Sequence, residues 1–349
     1  MAFWRDWRGP LRGALTACLP SLLAAASVAA AQTPVPAAHP TPALTRGEAL
    51  YESLFAAPTT LDHIGRVVVP VRVDGRGPFR FVIDNGASHS SVSPGLVRVL
   101  GLAVSKIPLI DLEGVTGSAA VPAVKIRSLR AGSLVIRDTA VPVLRTSMMA
   151  GADGILGVAG IRDITLMVNF GHNRVQIARE LPPDMRFEDS RVHTEVVAGG
   201  LMAIPAYVGN VRVVAIIDTG SQRTLGNPAL RAALHLTDAG GSLEPVTAVY
   251  GATKQVQMGR MVDSPVISVG PLRIAGVAPI YGSFHIFTVW GLAHRPALVL
   301  GMDVLGTVES LGFDFRRHDL FISGIRPSLW DPREAYETPV ATEAPDKIH

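Results

Sequence analysis

The chain contains two copies of one unit, and this repeat limits its possible folds more than any other feature. Residues 79–102 align without a gap with residues 213–236, at an offset of 134. Seven identities fall in register: Ile83, Asp84, Gly86, Pro94, Leu96, Leu100 and Leu102 match Ile217, Asp218, Gly220, Pro228, Leu230, Leu234 and Leu236. A repeat of this kind predicts two equivalent structural units in tandem.

Each copy begins with a short apolar run, residues 81–83 and 215–217, which predicts a buried strand. An Asp-x-Gly sequence follows, and the Gly permits a tight turn. Pro94 and Pro228 then suit the first turn of a short helix. Further strand-like segments follow, and helix-period segments are few, so we expect a mostly β fold.

The similarity continues downstream of the aspartates. Gly117 lies 33 residues after Asp84, and Gly251 lies 33 residues after Asp218, each in a loop of small residues. Both copies then carry an apolar-apolar-Gly element, 155–157 and 299–301.

One aspartate in each copy allows two carboxyl groups to meet across a pseudo-two-fold axis. Carboxylates in close contact cannot both ionise easily, so the pair shares a proton. The ionised member can activate a water molecule, and the protonated member can polarise a carbonyl group. Such a pair hydrolyses amides without a metal or a covalent intermediate.

Asp84-Asn85-Gly86-Ala87-Ser88 and Asp218-Thr219-Gly220-Ser221, each followed by apolar-apolar-Gly, resemble the pepsin/retropepsin-like aspartic protease superfamily. The bacterial two-lobed retropepsin-like proteins are the closest resemblance, which covers about residues 60–325. It implies two tandem retropepsin-like (acid protease) β-lobes with a cleft between them. The implied site consists of catalytic Asp84 and Asp218, the loop residues Asn85, Gly86, Ala87, Thr219, Gly220 and Ser221, flap candidates Gly117, Tyr250 and Gly251, and the loop-packing residues Leu156, Gly157, Leu300 and Gly301.

Two positions depart from the family pattern. The resemblance implies a Thr after each catalytic Asp, with a hydroxyl that bonds to the opposite loop; Thr219 keeps this residue and Asn85 does not. Ser221 could donate a hydrogen bond to Asp218, which Ala87 cannot do for Asp84, so we expect Asp218 to ionise more readily. Asn85 also leaves open an alternative function, a catalytically weak or inactive peptide-binding module.

The second copy is longer, with the extra residues expected within 281–296. Phe284, Phe287 and Trp290 in this segment could line a substrate pocket, or the insertion could simply pack its own apolar residues.

The N-terminus has the layout of a secretory signal peptide. Arg5, Arg8 and Arg12 precede an apolar run from Gly13 to Ala31 that ends in small residues. We therefore expect export to a periplasm, with an N-terminal membrane anchor as the alternative. The expected segments are a signal peptide at 1–31, a flexible leader at 32–59, an N-terminal lobe at 60–185, a C-terminal lobe at 186–327 and a disordered tail at 328–349.

The composition of the chain excludes several other classes of protein. The 349 residues are 48% hydrophobic and 17% charged, which excludes a disordered chain. One Cys excludes a disulfide scaffold, and the His residues have no metal-ligand spacing. A net charge of +3 is too small to indicate nucleic acid. We expect a peptide or protein substrate, no cofactor, no metal, no membrane span in the mature chain, and a monomer.

Overall fold

The computed structural model describes residues 53–58, 60–62, 65–132, 134–145, 149–158, 164–172, 174–179, 191–197, 201–236 and 245–325. All of them belong to one compact unit, Leu44–His349. The predicted signal peptide, the leader up to residue 52 and the tail lie outside the described residues.

The fold is mostly β, as predicted, and its elements follow the repeat. The first half comprises strands β1 Ser53–Pro58, β2 Thr60–Leu61, β3 Val67–Val73, β4 Arg76–Ile83, β5 Ser91–Val92, β6 Val104–Gly114, β7 Gly117–Ala131, β8 Leu134–Pro142, β9 Gly154–Leu156, β10 Thr165–Asn169 and β11 Arg174–Ala178, with helix α1 at Pro94–Leu100.

The second half repeats this arrangement with added elements. Its strands are β12 Arg191–His193, β13 Glu195–Val197, β14 Leu201–Val208, β15 Val211–Ile217, β16 Leu225–Gly226, β17 Val246–Tyr250, β18 Val256–Met261, β19 Ile267–Val269, β20 Leu272–Ile274, β21 Ile280–Tyr281, β22 Ala297–Leu300, β23 Val308–Asp314 and β24 Asp319–Ile325; its helices are α2 Pro228–Ala233, α3 His285–Val289 and α4 Met302–Leu305.

Each half forms its own curled sheet. The N-terminal sheet has the strand order β5-β9-β4-β3-β7-β6, with β2 on β3 and β8 on β7. The C-terminal sheet has the order β17-β18-β21-β16-β22-β15-β14-β19-β20, with β13 on β14. The central pairings are equivalent, because β4 runs parallel to β9 and β15 runs parallel to β22.

A third sheet joins the two lobes. Its strand order is β1-β11-β10-β23-β24-β12, and β10 and β23 meet at its centre with Leu166 opposite Phe313. Both residues are at most 1% exposed, so a continuous apolar layer connects the halves. Burial at this junction holds the lobes in one unit.

The start of the N-terminal lobe differs from the prediction. Residues 53–58, assigned to the flexible leader, form β1 and pair with β11. The pairing is antiparallel, with Phe55 opposite Ile177. Local sequence does not show it because the partner strand lies more than one hundred residues away.

The short helices begin where the prolines predict. Ser93 caps α1 and accepts a hydrogen bond from the backbone N–H of Leu96, while Asn227 caps α2 and accepts one from Leu230. Side-chain oxygens at these positions satisfy N–H groups that have no partner within the helix. None of the helices in the described part of the chain has the length and apolar character of a membrane span.

Candidate active site

The two aspartates occupy equivalent loops at the ends of β4 and β15. The backbone N–H of Asp84 donates to the carbonyl oxygen of Leu156 at 3.1 Å, and that of Asp218 donates to Leu300 at 3.0 Å. Each loop therefore extends the parallel pairing of its central strand by one residue. This places both carboxyl groups at the junction of the two lobes.

The two carboxyl groups lie close enough for each to perturb the pKa of the other. The glycine of each loop makes this approach possible: a β-carbon at Gly86 would overlap the carboxyl group of Asp218, and one at Gly220 would overlap that of Asp84. Each glycine also donates its N–H to the aspartate of its own loop, at 2.8 and 2.9 Å. The structure thus brings together the four residues predicted to form the centre of the site.

Asn85 and Thr219 link the two loops beneath the carboxyl groups. The Thr219 hydroxyl donates to the carbonyl oxygen of Ile83 at 2.9 Å and accepts from the N–H of Asn85 at 3.2 Å. The N–H of Thr219 donates to Oδ1 of Asn85 at 2.8 Å. Asn85 therefore replaces a threonine as an acceptor, whereas its Nδ2 is buried without a partner among the described residues.

The apolar-apolar-Gly elements lie directly under the loops. A β-carbon at Gly157 would lie 2.5 Å from the backbone of His89, and one at Gly301 would lie 2.5 Å from that of Arg223. Val158 donates its N–H to the carbonyl of Ala87 at 2.8 Å. Met302 donates its N–H to the carbonyl of Ser221, also at 2.8 Å, so both elements contact their loops through backbone hydrogen bonds.

A pair of hydroxyl residues supports these glycines and was not identified from the sequence. Ser90 accepts a hydrogen bond from the N–H of Gly157, and Thr224 accepts one from Gly301, each at 3.2 Å. Thr224 also donates to Asp303 at 2.7 Å. Both hydroxyls lie six residues after an aspartate, and this shared spacing is the signal that could have revealed them.

The hydrogen bond from which the sequence predicted a more readily ionised Asp218 is not formed by the Ser221 hydroxyl. Burial raises the pKa of both carboxyl groups, to about 8 for Asp218, where the neighbouring Asp84 charge raises it further. The positive charge of Arg66 and hydrogen bonds lower the pKa of Asp84. The Ser221 hydroxyl does not reach Asp218, because it donates to the carbonyl of Arg223 at 2.8 Å. The charge of Arg66 thus favours the ionised form of Asp84.

Two hairpins, β6–β7 and β17–β18, meet at their tips. The hydroxyl groups of Thr116 and Thr253 are 3.2 Å apart, and Nε2 of Gln255 donates to the carbonyl of Ser118 at 2.9 Å. The predicted flap glycines lie at this junction: a β-carbon at Gly117 would lie 2.9 Å from the side chain of Gln255, and one at Gly251 would lie 2.9 Å from that of Thr116.

Further contacts tie the first flap to the C-terminal lobe. Nε2 of His285 and Oε2 of Glu113 are hydrogen-bonded at 2.7 Å, and the N–H of Ile286 donates to the carbonyl of Val115 at 3.4 Å. Tyr250, the third flap candidate, ends β17 and is 62% exposed.

The insertion follows the simpler of its two interpretations. Phe284 and Phe287 are each 1% exposed and belong to the main core. Trp290 packs edge-to-face on Phe287, with ring centroids 6.3 Å apart. These residues pack the base of the second flap, since a β-carbon at Gly259 of β18 would lie 3.0 Å from the Phe284 ring.

Within the described ranges, no group of three or more His, Cys, Asp or Glu side chains could hold a metal ion. Two carboxyl groups this close to each other titrate as a coupled pair.

Comparison with known families agrees with this geometry. A family model described as aspartyl protease matches residues 69–159 and 204–304, one match on each lobe. The chain therefore belongs to the aspartyl protease family, with two tandem retropepsin-like lobes. A search of curated proteins found no match.

Proposed function

We propose that the protein is an aspartic endopeptidase in which Asp84 and Asp218 activate one water molecule between them. The observation that carries this proposal is the close approach of two carboxyl groups from equivalent loops, each of which lies against the glycine of the opposite loop. Membership of the aspartyl protease family supports it. Each lobe supplies one of the two aspartates, and both lobes belong to the same chain. One chain therefore contains a complete pair.

In this mechanism the two carboxyl groups have different roles. Ionised Asp84 takes a proton from water as the water oxygen attacks the peptide carbonyl carbon. Protonated Asp218 donates its proton to the carbonyl oxygen. The tetrahedral intermediate then collapses, the C–N bond breaks, and Asp84 passes its proton to the leaving nitrogen. Asp218 recovers a proton from the diol, which restores the starting state.

The substrate would bind as an extended strand between the flaps and the aspartate loops. The flap tips contact each other through Thr116, Thr253 and Gln255, so they must separate before a peptide can enter. One of these contacts joins the hydroxyl groups of Thr116 and Thr253, and the other joins Gln255 to the carbonyl of Ser118. A hydrogen bond of either kind contributes only about 1 kcal/mol. The tip contacts alone therefore offer little resistance to an opening of the flaps.

We also propose that the protein is exported to a periplasm. Support comes from the basic residues and apolar run of the first 31 residues. Mass spectrometry of the protein recovered from cell fractions tests this point. An N-terminus at Gln32 in the periplasmic fraction is expected, whereas an intact N-terminus in the membrane fraction would indicate the anchor.

Cleavage of a peptide library tests the function, over about pH 3 to 8, the range in which a carboxyl pair titrates. Asp84→Asn and Asp218→Asn are compared with the wild type, and circular dichroism confirms that each variant is folded. Cleavage by the wild type that either substitution abolishes is expected. Binding of peptides without cleavage, retained in both variants, would instead favour a peptide-binding module.

A further inference from the structure

A buried cation lies opposite the first aspartate. Strands β3 and β4 are antiparallel, with Val68 opposite Val82. Continuing this register by two residues places Arg66 opposite Asp84, and the alternation of side chains places both on the face that carries Val68 and Val82. Two observations agree with this placement. Arg66 donates to the carbonyl oxygen of Met149 at 2.8 Å, and Met149 packs in one cluster with these two valines.

Arg66 is held rigidly in this position. Its Nε donates to Oδ2 of Asp62 at 2.7 Å, and its backbone N–H donates to Oδ1 of the same residue at 2.9 Å. The side chains of Arg66 and Asp62 are 5% and 0% exposed. A buried pair costs desolvation energy that its own attraction recovers only in part. Because the pair contributes little to stability, its position beside the aspartates points to another role.

A leucine stands at the equivalent position of the second lobe. Strands β14 and β15 are antiparallel, with Ala203 opposite Ile216, and the same extension places Leu201 opposite Asp218. Leu201 is apolar and 2% exposed. The two carboxyl groups, equivalent in their loops, thus face a cation on one side and a hydrocarbon side chain on the other.

We propose that Arg66 is a positioning residue that keeps the negative charge of the pair on Asp84, and that Asp62 limits the strength of this effect. The charged groups facing Asp84 in the described part of the chain are Arg66 and Asp218, with Asp62 behind Arg66. Arg66 stabilises the charged form of Asp84, while Asp62 partly neutralises Arg66. The catalytic consequence rests on the proposed function; the charge distribution itself does not.

The role of Arg66 can be tested by removing either the cation or its partner carboxylate. The two substitutions should shift the acid limb of the pH profile in opposite directions. Arg66→Met removes the cation, so the acid limb of the kcat/KM profile moves to higher pH by about one pH unit. Asp62→Asn removes the neutralising carboxylate, so the same limb moves to lower pH. The double variant Asp62→Asn/Arg66→Met buries no unpaired charge, and its limb shifts upward as in Arg66→Met. A merely structural role would lower activity in all three without opposite shifts.

Carbon-13 NMR of the aspartate carboxyl groups gives a readout that needs no activity. In an Asp218→Asn background, Asp84 is the only carboxyl group left in the pair. Its signal should titrate at higher pH when Arg66→Met is added and at lower pH when Asp62→Asn is added. Arg66→Lys, which keeps the charge, serves if Arg66→Met does not fold, and should leave the titration within a few tenths of a pH unit. Arg191→Met, which removes a surface cation paired with Asp319, is the control and should have no effect.

The two proposals fail in different ways. Unchanged titration of Asp84 in both the Arg66→Met and Asp62→Asn variants, or shifts in the same direction, would overturn the role of Arg66 even if the enzyme cleaves peptides. Opposite NMR shifts in a protein that cleaves nothing would support the role of Arg66 and count against the peptidase.

Discussion

Asn85 and Thr219 hold the two aspartate loops together through reciprocal hydrogen bonds. Each residue donates its backbone N–H to the side-chain oxygen of the other, at 3.2 and 2.8 Å. The exchange is unequal in one respect. Thr219 also donates its hydroxyl to the carbonyl of Ile83 in the opposite loop, whereas the Nδ2 group of Asn85 is buried without a described partner. The link therefore leaves one donor unsatisfied directly beneath the aspartate pair.

Asn85→Thr should stabilise the protein. A threonine hydroxyl can accept the N–H of Thr219 and can donate to the carbonyl of Ile217, as Thr219 does to Ile83. We expect the free energy of unfolding to rise by about 1 kcal/mol, because a buried unsatisfied donor is removed. Urea unfolding measures the change. Asn85→Ala is the counterpart, and it should be destabilising by about 1–3 kcal/mol because the N–H of Thr219 loses its acceptor. A destabilised Asn85→Thr variant would contradict this view of the link.

Gly301→Ala should disrupt the second aspartate loop. The added methyl group would lie 2.5 Å from the backbone carbonyl group of Arg223, and the backbone cannot yield without moving the loop. We expect a loss of at least about 2 kcal/mol in unfolding free energy and a loss of activity. Gly95→Ala is a matched control, because its methyl group meets only the side chain of Ser93, at 3.6 Å. That change lies within α1 and should be neutral or slightly stabilising. Equal effects of the two substitutions would refute the close-packing argument.

Loss of the tip contacts should open the flaps. The double substitution Thr116→Val/Gln255→Ala removes the hydroxyl contact to Thr253 and the bond to Ser118. If each contributes about 1 kcal/mol, amide hydrogen exchange in both tips should become roughly tenfold faster or more. Mass spectrometry of the peptides that cover 110–122 and 247–259 measures this rate. Thr139→Val, on β8, is the control and should leave both tips unchanged. Unaltered exchange in the double variant would show that these bonds do not hold the tips together.

Stability should fall as pH rises through the titration of the pair. The pKa of Asp218 in the folded protein is raised to about 8, chiefly by burial, whereas an unfolded aspartate has a pKa of about 3.9. Between these values the folded state binds more protons than the unfolded state, so the stabilising contribution is complete at low pH and is lost as the pH approaches 8. Asp218→Asn removes this proton and should flatten the fall in the midpoint of thermal unfolding between about pH 4 and 8. An identical slope in the wild type and the variant would contradict the raised pKa.

The sequence predicted the parts of the site that depend on local pattern. The aspartate turns and the apolar-apolar-Gly elements follow from the repeat, because strand, tight turn and close glycine contact are each encoded within a few residues. Arg66 could not be predicted in this way. Its position opposite Asp84 depends on the register between β3 and β4, and a bulge between Val71 and Val73 interrupts that register.

The flap contacts and the first strand were missed for a related reason. Thr116 and Gln255 belong to different lobes, and their proximity depends on how the lobes pack. β1 pairs with β11, and most of the sequence of the N-terminal lobe lies between these two strands. The surroundings of the pair were missed for the same reason: the repeat showed the Ser221/Ala87 difference, but the Ser221 hydroxyl bonds to Arg223, and a cation distant in sequence, Arg66, acts on Asp84.

The most direct test of the account is a mixing experiment with a peptide that the wild type cleaves. Asp84→Asn, Asp218→Asn and an equimolar mixture of the two are assayed beside the wild type at the optimal pH. One chain supplies both carboxyl groups in this account, so each variant alone and the mixture should all be inactive. Activity restored in the mixture would show that the pair forms between chains, and full activity in either variant alone would show that the two aspartates are not the catalytic pair.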